Sequence, residues 1–345
     1  MKIIYKLLFL FLLTIGYSSC DFLDIVPDEI TTEADAFKDR NAAKNFVYSC
    51  YGYLPQSNVA SGSLDLLTGD EVITAFEHET FASFPKGNYT ASSPVISYWN
   101  TFFQGLRQCY IFLENVDKVP DLTESVKTDY IAQVKFLIAY YHYQLARCYG
   151  PIILIKELPD VNASQAEYLP QTSYDECVDW ICNLLDEAAS SLPAIRTNKE
   201  DYGLATSVGA KAVKAKMLLY AASPLFNGNS SFYSNFTDKS GSQLMPLTYD
   251  PNKWVKAKTA IKEAIDLAEQ NGHALYVKQD YKIGNEDANP YPAAGPVRCL
   301  RTSLVDWDSR NPEVLLAETR SEGSYGIQNK SLPFVTDGWA WNGVG

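Results

Sequence analysis

A mostly helical fold is what this sequence predicts, and three observations predict it. Apolar side chains return at spacings of three and four along six stretches, the period of one helix face. Proline or glycine closes nearly every stretch: Pro55, Pro120, Gly150-Pro151, Pro193, Pro224 and Gly272. Small residues gather on faces that must pack closely, as in Ala188-Ala189, Gly209-Ala210, Ala212, Ala215 and Ala221-Ala222, and again in Ala257, Ala260, Ala264 and Ala268.

Taken in order, Thr32 is placed to cap a first helix from near Glu33, with Ala36, Phe37, Ala43, Phe46, Val47, Cys50 and Leu54 on one face until Pro55 stops it. The polar stretch 56–93, with Gly69-Asp70-Glu71 and Phe84-Pro85-Lys86-Gly87-Asn88-Tyr89, reads largely as loop. Helices are then predicted over 95–119, 123–149, 174–192, 207–225 and 251–270. Paired helices with small residues at their contacts and proline at their turns read as hairpins of the tetratricopeptide type. Between them lie two long stretches rich in Gly, Asn, Ser, Tyr and Pro, 228–249 and 280–309. Irregular segments of that length inside a domain usually carry function.

The first twenty residues read as an export signal. Lys2 and Lys6 supply the positive start, residues 7–15 an apolar core, and Gly16-Tyr17-Ser18-Ser19 small residues leading to Cys20. The expectation is a signal over 1–19, cleavage before Cys20, and a mature chain acylated on that cysteine. Several acyl chains would anchor it stably, since each buried methylene contributes roughly 0.8 kcal/mol. The apolar run is far too short to span a bilayer, which needs about 20 residues.

Composition narrows the rest. The chain has 345 residues and 46% hydrophobic content, enough for one large core or two modest ones. A net charge of −12 with no basic cluster after the signal excludes nucleic acid as a natural partner and leaves membrane attachment to the acyl chains. Seven cysteines, at 20, 50, 109, 148, 177, 182 and 299, form no C-x-x-C pair, so zinc and thioredoxin-type sites fall away. The six beyond Cys20 fall mainly in predicted helix as small buried apolar residues. An exported chain can hold disulfides, whose pairing the spacing does not give. No phosphate loop or H-E-x-x-H helix occurs, and no cofactor or metal is expected. With only His78, His142 and His273, a nucleophile triad finds no support, and the plentiful acids stand in no recognisable catalytic context.

Several segments together resemble the SusD-like (RagB/SusD) family of lipid-anchored outer-membrane proteins. Cys20-Asp21-x-Leu23-Asp24-x-x-Pro27 is similar to the family's mature amino terminus, and 32–51 to its first helix. The run from Trp99 through Arg107-Gln108-Cys109 to Asn115, and Ala139-Tyr140-Tyr141-His142-Tyr143-Gln144-Leu145 followed by Tyr149-Gly150-Pro151, resemble two more of its helices. The strongest likeness is Ala210-Lys211-Ala212 through Tyr220-Ala221-Ala222-Ser223-Pro224-Leu225-Phe226-Asn227-Gly228, with Asn311-Pro312-Glu313-Val314-Leu315 a further match. Ile138 and Tyr110 depart from the family's usual Arg and Asn at positions that read as structural. Family members also continue well past 332–341, so the resemblance implies that 20–345 is a single SusD-like helical domain truncated at its C-terminal end.

What the resemblance implies is a non-enzymatic, surface-exposed lipoprotein of the outer membrane that binds glycans or oligosaccharides. It would pass them to a SusC-like TonB-dependent transporter, acting as a lid over that barrel. Sugar recognition needs flat rings for pyranose C–H faces and polar groups for hydroxyls. The candidate residues are Asp70, His78, Tyr89, Trp307, Tyr325, Trp339 and Trp341, which stand in polar, loop-like contexts. Packing between loops is the open alternative for each ring, whereas Trp99, Trp180 and Trp254, in helical stretches, are expected in the core. The rival functional reading is a structural or protein-docking helical-repeat lipoprotein without sugar binding.

Overall fold

The computed structural model describes residues 33–55, 83–160, 162, 169–277, 299–300, 303 and 311–319. Six helices of three turns or more organise it: α1 (Arg40–Tyr51), α2 (Trp99–Asn115), α3 (Glu124–Tyr149), α4 (Tyr174–Ser191), α5 (Ser207–Ala222) and α6 (Asn252–Gln270). Among the described residues the fold is helical, with only two isolated β-bridges, Thr90 to Ser93 and Thr237 to Gln243.

Local chemistry sets the boundaries. The stretch expected as one first helix is broken: a single turn, Glu33–Ala36, precedes α1, which restarts because Asp39 is extended and its carboxylate accepts from the Ala42 amide. A second cap inside the apolar pattern thus overrides the pattern. Helix α2 begins at Trp99, four residues later than expected, and hands over to a 3-10 turn at Val116–Lys118. Helix α5 ends at Ala222, three residues short of the expected limit. Ser223 precedes Pro224 and is held extended, since a residue before proline is pushed out of the helical region. Thr206 caps its start, its hydroxyl accepting from the Gly209 amide at 3.0 Å.

Helix α3 is the axis of the core. It packs against α2 on one side and α4 on the other, with α1 and α5 completing the cage. Its side chains are accordingly buried on several faces, from Ala132 through Phe136, Tyr141 and Tyr143 to Ala146. Several polar groups that enter the core find partners there. Tyr110 donates to the Ile155 carbonyl at 2.6 Å, and Ile138 is buried, so both departures from the family pattern are packing positions. His142 places Nδ1 2.8 Å from the Ile138 carbonyl and accepts from the Ile155 amide at Nε2, 3.1 Å away. Burial lowers its pKa to about 4, so it sits neutral at physiological pH.

A second polar knot ties α1 to α3. The Tyr51 hydroxyl donates to Gln133, whose amide donates to Asp129, and Arg196 grips the same carboxylate with two N–H groups at 2.7 and 2.9 Å. Arg196 also holds the Ala205 carbonyl, and the Ala205 amide closes the ring on the Tyr51 hydroxyl. Burial pushes the Tyr51 phenol well above its ordinary pKa, which keeps it a donor.

Helix α6 lies on α5 through Ala257, Ala260, Ala264 and Ala268, with Ala215 opposite. Here a sequence expectation fails. Trp254 is 42% exposed, because the close approach that alanines permit leaves no gap for an indole at the flank of their stripe. Trp99 and Trp180 do pack against the core.

Candidate ligand-binding surface

The connection from α5 to α6 is a long excursion whose two ends are pinned together. Asn227 donates its amide to the Asp250 carbonyl and accepts from the Asp250 amide, both at 2.9 Å. A side chain here imitates a backbone ladder pair. Gly228 completes the junction: it has φ +80°, and a Cβ there would lie 2.3 Å from the Tyr249 nitrogen, so only glycine fits.

Inside the excursion, further bonds fix the path. Leu244 and Met245 are buried, and the Leu244 carbonyl accepts from the Tyr174 amide at the start of α4. Phe226 stacks on Tyr174 at 4.8 Å, nearly parallel. The Gln243 amide holds the carbonyls of Tyr233 and Phe236. At the tip, Asp238 accepts from the Ser240 hydroxyl and from the amides of Ser240 and Ser242. Those bonds, led by the Ser240 hydroxyl, hold its carboxyl below the usual range and keep it an anion.

This rigid loop turns rings outward. Phe232 is 75% exposed, Tyr233 lies beside it at 6.3 Å between ring centres, and Phe236 follows at 6.2 Å from Tyr233. Tyr249 is 56% exposed at the other end of the loop. Hydroxyls of Ser231, Ser240 and Ser242 and the Asp238 carboxylate lie along the same segment. An arc of rings with fixed acceptors can cover the C–H face of a sugar and bind its hydroxyls.

Of the sequence-predicted site residues, Tyr89 is described: it is half exposed and meets Phe84 edge-on at 5.5 Å. Asp70, His78, Trp307, Tyr325, Trp339, Trp341 and the expected lipidation site Cys20 lie outside the described residues. Sequence reasoning marked 228–249 as functional but named none of Phe232, Phe236 and Tyr249. The signal was a run of aromatics among Ser, Asn and Gly, without the tryptophans that drew attention elsewhere. Among the described residues no group of side chains could hold a metal ion, and no helix is long and apolar enough to cross a membrane.

The helical scaffold has known counterparts. Residues 21–219 match a SusD-like family model described as starch-binding and associating with the outer membrane. The chain belongs to the SusD-like family. The solved protein BT4246 is 36% identical, with a TM-score of 0.65 over 71% of this chain and 42% of its own. A SusD-like protein of Bacteroides fragilis shares the fold at 22% identity and a TM-score of 0.53, over 72% of this chain and 41% of its own. A SusD-like protein of Formosa agariphila is 22% identical over 230 residues, 63% of this chain and 43% of that protein. The chain thus spans about two fifths of the length of these relatives.

Proposed function

We propose that this protein captures a glycan or oligosaccharide at the outer face of the outer membrane, without cleaving it, and passes it to a SusC-like TonB-dependent transporter. The observation that carries the reading is the pre-organised loop 227–250, with Phe232, Phe236 and Tyr249 turned to solvent in a chain whose family is described as starch-binding. Attachment through acyl chains on Cys20, after removal of 1–19, supplies the location, and the transporter hand-off rests on family membership. Asp70, His78, Tyr89, Trp307, Tyr325, Trp339 and Trp341 are proposed as further ligand contacts. Three or four ring contacts of about 0.5–1.5 kcal/mol each, with hydrogen bonds, reach millimolar to micromolar affinity, which suits a carrier that must release.

Titration of the chain lacking residues 1–20 against a panel of starch, laminarin and other polysaccharides tests it. Saturable binding that falls with Phe232→Ala, and no release of reducing sugar, is the expected result. Absence of binding to every member of the panel overturns it. Exposed Leu225 and Leu247 beside the rings favour protein docking as a second reading. That reading expects Phe232→Ala to leave sugar titrations unchanged and to weaken association with the transporter.

A further inference from the structure

At the far end of helix α4 from the aromatic loop lies a cavity of about 770 Å³, enclosed by α1, the first turns of α3, the end of α4 and the connection 193–204. Tyr174 opens α4 beneath the loop, whereas Ser190 and Ser191 close it at the cavity, so about 25 Å of helix separates the two places. The floor is the polar knot that ties α1 to α3. Gln133 is buried, Asp129 and Arg196 keep limited access to water, and Glu124, Ser190 and Ser191 stand exposed at the rim. Two rings are held beside that floor. Tyr48 is 38% exposed with the Lys44 amine 5.4 Å from its ring centre, and half-buried Tyr130 meets the core ring of Phe112 edge-on at 6.5 Å. Each ring is thus fixed by a neighbour before any ligand arrives.

Charge and polarity decide the class of ligand. Two cations, Lys44 and Arg196, stand against three acids, Glu124, Asp129 and Asp201, and Arg196 already commits two N–H groups to Asp129. No surplus of positive charge is left to draw an anion. An apolar ligand would strip water from that ion pair and from the hydroxyls of Ser125, Thr128, Ser190 and Ser191, and would return no hydrogen bonds. A neutral polyhydroxylated molecule meets both conditions, because its C–H faces can lie on the phenols while its hydroxyls replace the lost water. We propose that this cavity is a second binding site, for a short neutral oligosaccharide, separate from the loop 227–250. It shares its class of ligand with the function proposed above and stands on different residues.

Hydroxyl-radical footprinting of the full-length chain with maltohexaose or laminarihexaose at millimolar concentration tests it. The expected result is protection of Tyr48 and Tyr130 by at least one of the two sugars, with affinity at that site lowered about threefold to tenfold by Tyr48→Ala. Because the ring is partly exposed, Tyr48→Ala should leave Tm within about 2 °C of its starting value. Ser191→Trp, which fills the mouth and keeps both rings, should abolish the protection, and Phe232→Ala should leave it intact. Unchanged labelling of Tyr48 and Tyr130 at the highest sugar concentration, or protection that survives Ser191→Trp, overturns the second site; protection of Phe232 in the same sample would leave the loop reading standing. Protection of Tyr48 with none at Phe232 supports the cavity and counts against the loop. Protection by trigalacturonate alone, an anionic sugar, overturns the assignment of a neutral ligand.

Discussion

Helix α3 and the loop 227–250 are both rich in aromatic residues and use them in opposite ways. In α3, Phe136, Tyr141 and Tyr143 point into a cage of four helices and are almost wholly buried. In the loop, Phe232, Phe236 and Tyr249 face solvent, although the ends of the loop beneath them are pinned together by Asn227 and Asp250. Burial releases free energy in proportion to area, so a ring left exposed by a rigid segment holds that free energy in reserve for a ligand. The difference separates rings that hold the fold from rings available for binding.

Substitutions can break this contrast or sharpen it. The largest effect is expected from Phe136→Ala, which leaves a cavity at the centre of the core. It should lower unfolding free energy by about 4 kcal/mol in urea melts, with any bound glycan retained in the fraction that stays folded. An effect within 1 kcal/mol would remove α3 from its central place.

Next in size is a dependence on acidity. Folded His142 takes up a proton only near pH 4, whereas the unfolded chain does so near the ordinary 6.5. The unfolded state therefore binds more protons as pH falls. Stability is full above about pH 6.5 and drops by about 3 kcal/mol on approaching pH 4. Denaturant melts at pH 7 and pH 4.5, compared with His142→Gln, isolate this share; a histidine-independent loss would sink it.

Asp129→Ala should follow, at about 2 kcal/mol. It strands the Gln133 amide and leaves Arg196 holding only the Ala205 carbonyl, though both charged groups keep partial access to water. The smallest change in stability is expected from Phe232→Ala, within about 0.5 kcal/mol by calorimetry. The same substitution should weaken a bound polysaccharide by about threefold to tenfold. A large drop in Tm without loss of affinity would reassign this ring to the fold.

Much of the scaffold could be read directly from the chain. Helices α3, α4 and α6 begin and end within a residue or two of where spacing, proline and glycine place them, because those signals act locally. Failures came where a distant or competing contact decides. Asp39 interrupts an unbroken apolar pattern with a cap of its own, and Trp254 looks like core until the alanine stripe beside it closes the gap. The outward rings were hidden for a similar reason. Their exposure depends on Asn227 meeting Asp250 and on Leu244 meeting Tyr174, pairings that no window of neighbouring residues contains. Asp70, His78 and the tryptophans at 307, 339 and 341 lie outside the described residues, and the expectations placed on them remain proposals.

Asn227 settles one more matter. Because the Asn227 side chain pins the two ends of the excursion together while Tyr233 packs against the core, it is the largely exposed tip, residues 238 to 242, whose length and wording the supporting helices feel least. That tip can therefore vary without the frame being rebuilt. Grafting an unrelated loop in place of that tip should leave the melting of α5 and α6 where it was, and a collapse of that melting would show the frame and the tip to be one unit.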